Sequence, residues 1–263
     1  MAKLNLKKEI EKLRSDDFYY GEGGSKYLSN SDIKILFQDP AQFRVKVYEN
    51  ENLAKGRLFH QLLLEPKKSN DFITYDGGVR NAAYREFLKE NNLGFALKTS
   101  EADEVKEMAT WFLDESNTKT ASLREYIYRF GAKYEEPMIK ELHGHLFKWK
   151  ADGVTDNIII DIKTTADIYR FPNLASNYFY DTQAYIYQEL FQMPMVFFVI
   201  GKTKKKYGVF DEDYYDVAVF NTSPEFIAKG KAKVEHALNH YGMYYGKSKT
   251  ESIKDIVFKG VLT

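Results

Sequence analysis

The sequence contains no cysteine. This absence excludes disulfide bonds, thiolate zinc sites, iron–sulfur clusters and cysteine nucleophiles together. It agrees with a reducing compartment, and we expect a cytoplasmic protein. The first residues are charged and lack an apolar core, so they do not predict a secretory signal. Apolar runs fall far short of the length of a membrane-spanning helix, and we therefore expect no membrane partner.

Neither sign of charge dominates, because the sequence contains 38 Lys and Arg residues and 38 Asp and Glu residues. Nucleic-acid-binding domains usually carry a basic excess, so such a role here requires lysines concentrated on one surface. Aromatic residues are abundant, with 20 Tyr and 19 Phe. They can pack a core or stack on bases, and for most of them we expect packing.

The order of predicted elements indicates an α/β or α+β fold with a central mixed sheet flanked by helices. We interpret 1–263 as a single domain, in which 1–130 is mainly helical and 131–263 holds the sheet and a C-terminal helix. Periodicity and caps predict helices over 3–15, 55–64, 100–115, 119–130 and 174–192, and from Ser223 onward. A further helix is predicted from a cap within Ser29–Asp32, through Ile33 and Phe37, to a stop at Asp39 and Pro40. Strands are predicted over 133–142, 146–154, 157–164, 195–200, 207–210 and 215–220.

A hairpin in the second half carries the most informative residues. A two-residue turn at 156–157, which are Asp and Asn, places Asp152 opposite Asp161. Side chains alternate along a strand, so Lys163 shares a face with Asp161, and Lys150 lies opposite Lys163. The same register pairs Thr155 with Ile158, Val154 with Ile159 and Gly153 with Ile160.

Two facing carboxylates repel each other, and the neighbouring isoleucines make their burial costly. A divalent cation between Asp152 and Asp161 would relieve both effects, and oxygen ligands suit Mg²⁺ or Mn²⁺. Such an ion polarises a phosphodiester, and Lys163 can hold water and stabilise developing charge. The alternative is a solvated ladder of surface charges, which the almost entirely isoleucine strand 158–162 disfavours.

The pattern Asp…Asp-x-Lys resembles the PD-(D/E)xK nuclease superfamily. More closely, the chain resembles exonucleases of the exonuclease VIII (RecE) type, found in phages and prophages, from about residue 27 to 230. The resemblance implies a restriction-endonuclease-like core. It is carried by Tyr27–Ala41, Gly56–Pro66, Ile160–Thr165 and Gln183–Tyr187.

The resemblance also implies roles for residues. Asp152 and Asp161 would bind the metal, Lys163 would be the catalytic lysine, and His60 would be a metal ligand or its neighbour. A histidine satisfied within the core is the alternative for His60. An acidic residue precedes the metal hairpin in this family.

That acidic residue is either Glu135 or Glu136. Strand alternation decides between them, because only one of two successive side chains faces the hairpin site. Glu136 shares its face with Tyr134 and Met138, so Glu136 is the preferred catalytic carboxylate.

Several residues are candidates for DNA contact. Gln183 could bind a phosphate or position the lysine, and Tyr187 could stack on a terminal nucleotide. The alternative for both is a helix whose aromatic face packs on the sheet. Lys202–Lys206 could contact phosphates or form a solvated hairpin tip. The remaining candidates for DNA binding are Lys150, Arg80 and Arg85.

The function implied by the resemblance is a magnesium-dependent 5′→3′ exonuclease on linear double-stranded DNA, with Mn²⁺ as a substitute. It would generate 3′ single strands for recombination in a bacterial or phage-infected cytoplasm. A ring-shaped homo-oligomer and a single-strand annealing protein are the implied partners. Two alternatives are a RecB-like nuclease acting on single strands or nicks, and a catalytically silent domain that binds DNA ends.

Overall fold

The computed structural model describes residues 5–45, 49–128, 132–209, 212–247 and 249–256. Helices dominate its first half, where β1 (Thr74–Tyr75) and β2 (Leu97–Lys98) form a small parallel pair. The helices are α1 (Leu6–Lys12), α2 (Asp16–Tyr20), α3 (Glu22–Ser25), α4 (Asn30–Gln38), α5 (Glu51–Leu64), α6 (Pro66–Ser69), α7 (Ala82–Glu90), α8 (Thr99–Leu113) and α9 (Ala121–Tyr128), with a 3₁₀ turn at Pro40–Gln42.

The second half supplies the main sheet. Its elements are β3 (Lys133–Leu142), β4 (His145–Val154), β5 (Ile159–Thr165), α10 (Phe171–Ala175), α11 (Tyr180–Phe191), β6 (Met195–Gly201), β7 (Lys205–Lys206), β8 (Asp213–Tyr214), β9 (Val217–Asn221) and α12 (Pro224–Tyr244), with a 3₁₀ turn at Ile253–Asp255.

The main sheet has the order β3-β4-β5-β6-β9 and is mixed. Strands β5 and β6 run parallel, with α10 and α11 in their connection, and the other neighbouring pairs are antiparallel. One core lies between the sheet and α4, α11 and α12, and a second lies between the opposite face and α5, α8 and α9. The expected mixed sheet flanked by helices is therefore confirmed.

Both faces of the sheet are covered because β5 and β6 are apolar at nearly every position. Strand β6 is buried throughout, and its side chains alternate between the two cores. Met195, Phe197 and Val199 face the α11 side, whereas Val196, Phe198 and Ile200 face the α5 side.

Local signals placed several helix ends correctly. Ser29 forms a capping box with Asp32, and Ser223 caps α12 at Phe226 N–H with Pro224 in the first turn. The predicted helix over 174–192 is two helices, because Phe179 adopts a left-handed conformation with φ 64° between them.

The strand predicted over 207–210 is wrong for residues 207–209. The short strand β7 ends at Lys206, and a turn follows at 208–209. Phe210 lies outside the described residues, as do 129 and 130 of the helix predicted over 119–130.

No helix within the described ranges combines the length and apolarity needed to cross a bilayer.

A glycine sets the close packing of α12 on the start of α11. A Cβ added at Gly230 would lie 2.0 Å from the carbonyl oxygen of Asp181, which is itself fully buried. A Cβ at Gly242, on the same helix, would meet no atom within 4 Å. The two glycines therefore form a matched pair for testing this helix contact.

We expect Gly230→Ala to lower the free energy of unfolding by about 1–3 kcal/mol, because the added methyl group forces α12 away from α11. Gly242→Ala should raise it by about 0.5–1 kcal/mol, since alanine favours the helix. Denaturant unfolding of both variants measures the difference. Equal effects at the two positions would contradict the packing described here.

Candidate active site

The hairpin of β4 and β5 has the register expected from its turn. Thr155 N–H donates to Ile158 O at 3.0 Å, and Val154 and Gly153 pair with Ile159 and Ile160. Among the described residues the β4–β5 ladder ends at Gly153. Beyond this point a side chain replaces the backbone as hydrogen-bond acceptor, since Asp152 Oδ2 accepts the N–H of Ile162 at 2.7 Å.

Three side chains form a group that we call the metal cluster: His60, Glu135 and Asp152. Each offers one ligand atom, and these atoms all lie within 4.8 Å of one another. They come from α5, β3 and β4, so the group depends on α5 packing against the sheet. One imidazole nitrogen and two carboxylates can hold a divalent cation.

The orientation of His60 is set by its two ring nitrogens. Nε2 lies 2.8 Å from the carbonyl oxygen of Ile162, so this nitrogen is the donor. Nδ1 faces Asp152 Oδ1 at 3.4 Å. A metal-binding histidine commonly donates its other N–H to a backbone carbonyl in this way, which leaves one nitrogen for the ion.

Of the two acidic candidates, the structure places Glu135, and not the preferred Glu136, at the metal cluster. Glu136 turns away to Arg14, whose Nη2 donates to its carboxylate at 2.8 and 3.2 Å. Glu135 has a left-handed backbone with φ 46°, which interrupts the alternation of the strand. As a result Tyr134 packs on the α5 side and Met138 on the α11 side, although they are four positions apart and would share a face in a regular strand.

The protonation of the metal cluster reflects crowded negative charge in a buried place. Burial, with the nearby Asp152 charge, raises the pKa of Glu135 to about 8. Burial acts to lower the pKa of His60, but Asp152 overrides it and raises that pKa to about 9. Burial opposes ionisation of Asp152, yet His60, Lys163 and the Ile162 N–H lower its pKa.

A second group, which we call the lysine group, consists of Asp161, Lys163 and Gln183. Lys163 Nζ lies 2.6 Å from Asp161 Oδ2, and Gln183 Nε2 donates to Asp161 Oδ1 at 2.5 Å. The Tyr180 ring lies 4.9 Å from the same ammonium. Burial, opposed by Lys163, raises the pKa of Asp161 to about 6.

The two groups meet at one residue. Ile162 donates its N–H to Asp152 and accepts from His60 with its carbonyl, and it lies between Asp161 and Lys163 in β5. The expected proximity of Asp152, Asp161 and Lys163 therefore arises through this backbone link. Asp161 does not belong to the metal cluster and is turned toward Lys163 and Gln183.

The donor set of the metal cluster fits a divalent cation. Glu135 and Asp152 are crowded carboxylates whose repulsion a cation would relieve. Because the cluster also contains an imidazole, which transition metals prefer, Mn²⁺ is a suitable probe beside Mg²⁺.

Gln183 and Tyr187 point inward, with 9% and 7% of their surfaces exposed. Gln183 orients Asp161, and the Tyr187 hydroxyl donates to the carbonyl of Lys150 at 3.3 Å. In the free protein both residues support the site from within, and neither presents a surface to DNA. This arrangement matches the packing alternative for Tyr187 and the positioning alternative for Gln183.

Lys150 does not lie opposite Lys163, because the β4–β5 ladder ends before it. Its ammonium is 2.7 Å from Asp16 and 4.0 Å from Glu135. Arg80 lies in the turn before α7 and Arg85 within α7, and both are exposed on the surface.

The charge of the basic run Lys202–Lys206 is partly offset by neighbouring carboxylates. Lys204 pairs with Glu107 at 2.6 Å and Lys205 with Asp216. Lys202 donates to the neutral amide oxygen of Asn52 at 3.0 Å and keeps its charge.

The chain matches the model of a family described as "PDDEXK-like domain of unknown function (DUF3799)" over residues 34–251. Because the match spans most of the sequence, the chain belongs to this family. The expected membership of the PD-(D/E)xK superfamily is thereby confirmed. Among curated proteins, none matches this sequence.

A solved structure with a TM-score above 0.5 shows the same fold. A candidate exonuclease from Eubacterium rectale superposes with a TM-score of 0.60 at 16% identity, covering 95% of this chain and 96% of that one. An alkaline exonuclease from Laribacter hongkongensis gives a TM-score of 0.34 at 12% identity, with 86% and 91% covered. A phage-related exonuclease from Haemophilus somnus gives 0.32 at 13% identity, with 82% and 93% covered.

Glu135 is the site residue that sequence reasoning placed second. Asp16 and Tyr19, which contact Lys150, and Lys68, which pairs with Asp16, were missed altogether. Asp16 and Tyr19 lie more than 100 positions from β4, and no local pattern marks them as its neighbours. The left-handed conformation of Glu135 likewise has no glycine or asparagine to signal it.

Proposed function

We propose that this protein is a divalent-metal-dependent DNA exonuclease whose single domain spans 1–263. The observation that carries the proposal is the junction of the metal cluster with the lysine group at Ile162. A partly buried histidine–carboxylate set beside a partly buried lysine–carboxylate pair is costly for stability alone. It suits hydrolysis of a phosphodiester, where negative charge must be bound and stabilised.

The residues divide the work by position. When bound, a divalent cation supplies positive charge that polarises the phosphodiester. Asp161 holds the Lys163 ammonium, and Gln183 holds Asp161, so the lysine is fixed before substrate arrives. Lys163 can then donate a hydrogen bond to a water or to the phosphate oxygen on which charge develops.

The finer assignment rests on the resemblance to exonuclease VIII-type enzymes. It comprises Mg²⁺ as the natural ion, linear double-stranded DNA as substrate and 5′→3′ polarity. It also includes a ring-shaped homo-oligomer and a role in recombination beside a single-strand annealing protein. Arg80 and Arg85, both exposed, remain candidates for DNA contact.

Digestion of end-labelled linear duplexes with Mg²⁺ tests this function. We expect 5′ label to be released before 3′ label, and the same duplex closed into a circle to resist. Comparison with single-stranded and nicked DNA tests the RecB-like alternative. If none of these DNA forms is degraded when a divalent metal is present, the proposal is contradicted and a silent DNA-end-binding domain is favoured.

A further inference from the structure

Asp16, the first residue of α2, lies between two cations beside the metal cluster. Its Oδ1 is 2.7 Å from Lys150 Nζ, and its Oδ2 is 3.2 Å from Lys68 Nζ. Lys150 precedes Asp152 by two residues in β4. Lys68 lies in α6, directly after the helix that carries His60. We call Lys68 and Lys150 the lysine pair.

Lys150 is a buried cation that requires an anion. Only 8% of its side chain is exposed, and the Tyr19 ring lies 5.1 Å from its ammonium. Glu135 is 4.0 Å away, so Asp16 is the nearer carboxylate. A buried ammonium without a partner is costly, and any anion that replaces Asp16 is held for the same reason.

The Asp16 carboxylate lies on the solvent side of this arrangement. Its side chain is 47% exposed, in contrast to that of Lys150. A carboxylate and a phosphodiester offer similar acceptor oxygens to an ammonium group. Lys68 Nζ also lies 2.8 Å from Glu65 Oε1, so a second carboxylate holds this lysine. Rotation of the partly exposed Asp16 side chain would therefore open Lys150 to a phosphate and would free Lys68 from one of its two carboxylate partners.

We propose that the lysine pair is a subsite for a backbone phosphate of nucleic acid, and that Asp16 occupies this subsite in the free protein. The proposal rests on the proposed function, because it places the substrate backbone beside the metal cluster. Asp16 then acts as an internal competitor of DNA. A phosphate must displace it, so binding is weaker than the two lysines alone would permit.

Helix α2 itself need not move. Arg14 ties the preceding turn to Glu136 at 2.8 Å, and Lys148 donates to the backbone carbonyl of Tyr19. Phe18 and Leu13 belong to a small apolar cluster with Tyr27 and Ile139. The exchange therefore concerns one side chain on a fixed helix.

The test is binding of a fluorescent linear duplex in EDTA, which separates binding from cleavage. We expect Asp16→Asn to bind about tenfold more tightly than wild type, because a competing charge next to two ammonium groups is removed. Asp17→Asn is the matched control, since Asp17 is the exposed neighbour on the same helix. Equal affinities of these two variants would overturn the proposal.

A second pair of variants keeps the test decisive if Asp16→Asn loses stability. Lys68→Ala should bind the duplex several-fold more weakly than Lys67→Ala, the exposed neighbour in α6. For Lys68→Ala, the slope of the logarithm of the binding constant against the logarithm of the salt concentration should be smaller in magnitude by roughly 1. Equal binding of the two lysine variants would overturn the subsite.

The two proposals fail in different ways. Suppose that the variants differ from their controls in duplex affinity as expected, but that no metal-dependent cleavage is found. This result would defeat the proposed function but not the subsite. Cleavage with identical binding by all four variants would defeat the subsite but not the function.

Discussion

Replacing Lys163 by alanine is expected to lower the rate of DNA cleavage about 10²–10³-fold. The ammonium of this residue is the cation held by Asp161 at the edge of the metal cluster. Binding of Mn²⁺ should persist, because Lys163 is not a member of the cluster. Single-turnover cleavage and calorimetric titration with Mn²⁺ measure the two effects separately.

Lys231→Ala is the control for this variant, since Lys231 is exposed on α12 and pairs with Glu235 only loosely at 3.9 Å. It should cleave DNA like wild type. Undiminished cleavage by Lys163→Ala would remove the lysine from the mechanism. If Lys163→Ala loses both Mn²⁺ binding and cleavage while it melts like wild type, Lys163 is needed for the structure of the metal cluster instead.

The second large effect is expected at Glu135. Glu135→Gln should weaken Mn²⁺ binding by at least about a hundredfold, because even residues that only support metal ligands change affinity 10–100-fold. The substitution keeps the shape of the side chain and removes one of the two carboxylates of the cluster. Calorimetric titration of the metal-free protein measures the change.

Glu136→Gln is the matched control, one position along the same strand. Its carboxylate is bound by Arg14 and lies away from the cluster, so Mn²⁺ affinity should stay unchanged. Weakened metal binding by Glu136→Gln, with Glu135→Gln unaffected, would restore the assignment made from strand alternation. It would also contradict the geometry described here.

Much of the hairpin that positions the site follows from local sequence. Asp156 and Asn157 favour a two-residue turn, which fixes Gly153 opposite Ile160. The isoleucines of β5 require cover on both faces of the strand, and the structure provides it with α5 and α11. Register and burial were predictable because they depend on neighbours in the chain.

The arrangement beyond Gly153 was not predictable in the same way. Pairing of Asp152 with Asp161 assumes that the ladder continues, but the Asp152 carboxylate binds the Ile162 N–H instead. The positive φ of Glu135 then brings it, and not Glu136, to the cluster. The first feature results from competition between a side chain and the backbone ladder, and periodicity reveals neither of them.

Long-range ion pairs could also not be predicted from the sequence. Lys150 was interpreted as a partner of Lys163 across two strands, whereas it binds Asp16 from a helix 134 positions earlier. Many combinations of lysine and carboxylate are equally compatible with this composition. Only the packing of α1 and α2 against β3 selects one of them.

We propose that His60, Glu135 and Asp152 hold a divalent cation beside Lys163. Crystals soaked in Mn²⁺, measured at a wavelength where manganese scatters anomalously, test this site most directly. We expect an anomalous peak about 2.0–2.3 Å from Nδ1 of His60 and from carboxylate oxygens of Glu135 and Asp152. A peak bound by other residues, or a fully occupied Mn²⁺ site that excludes Glu135, would contradict it.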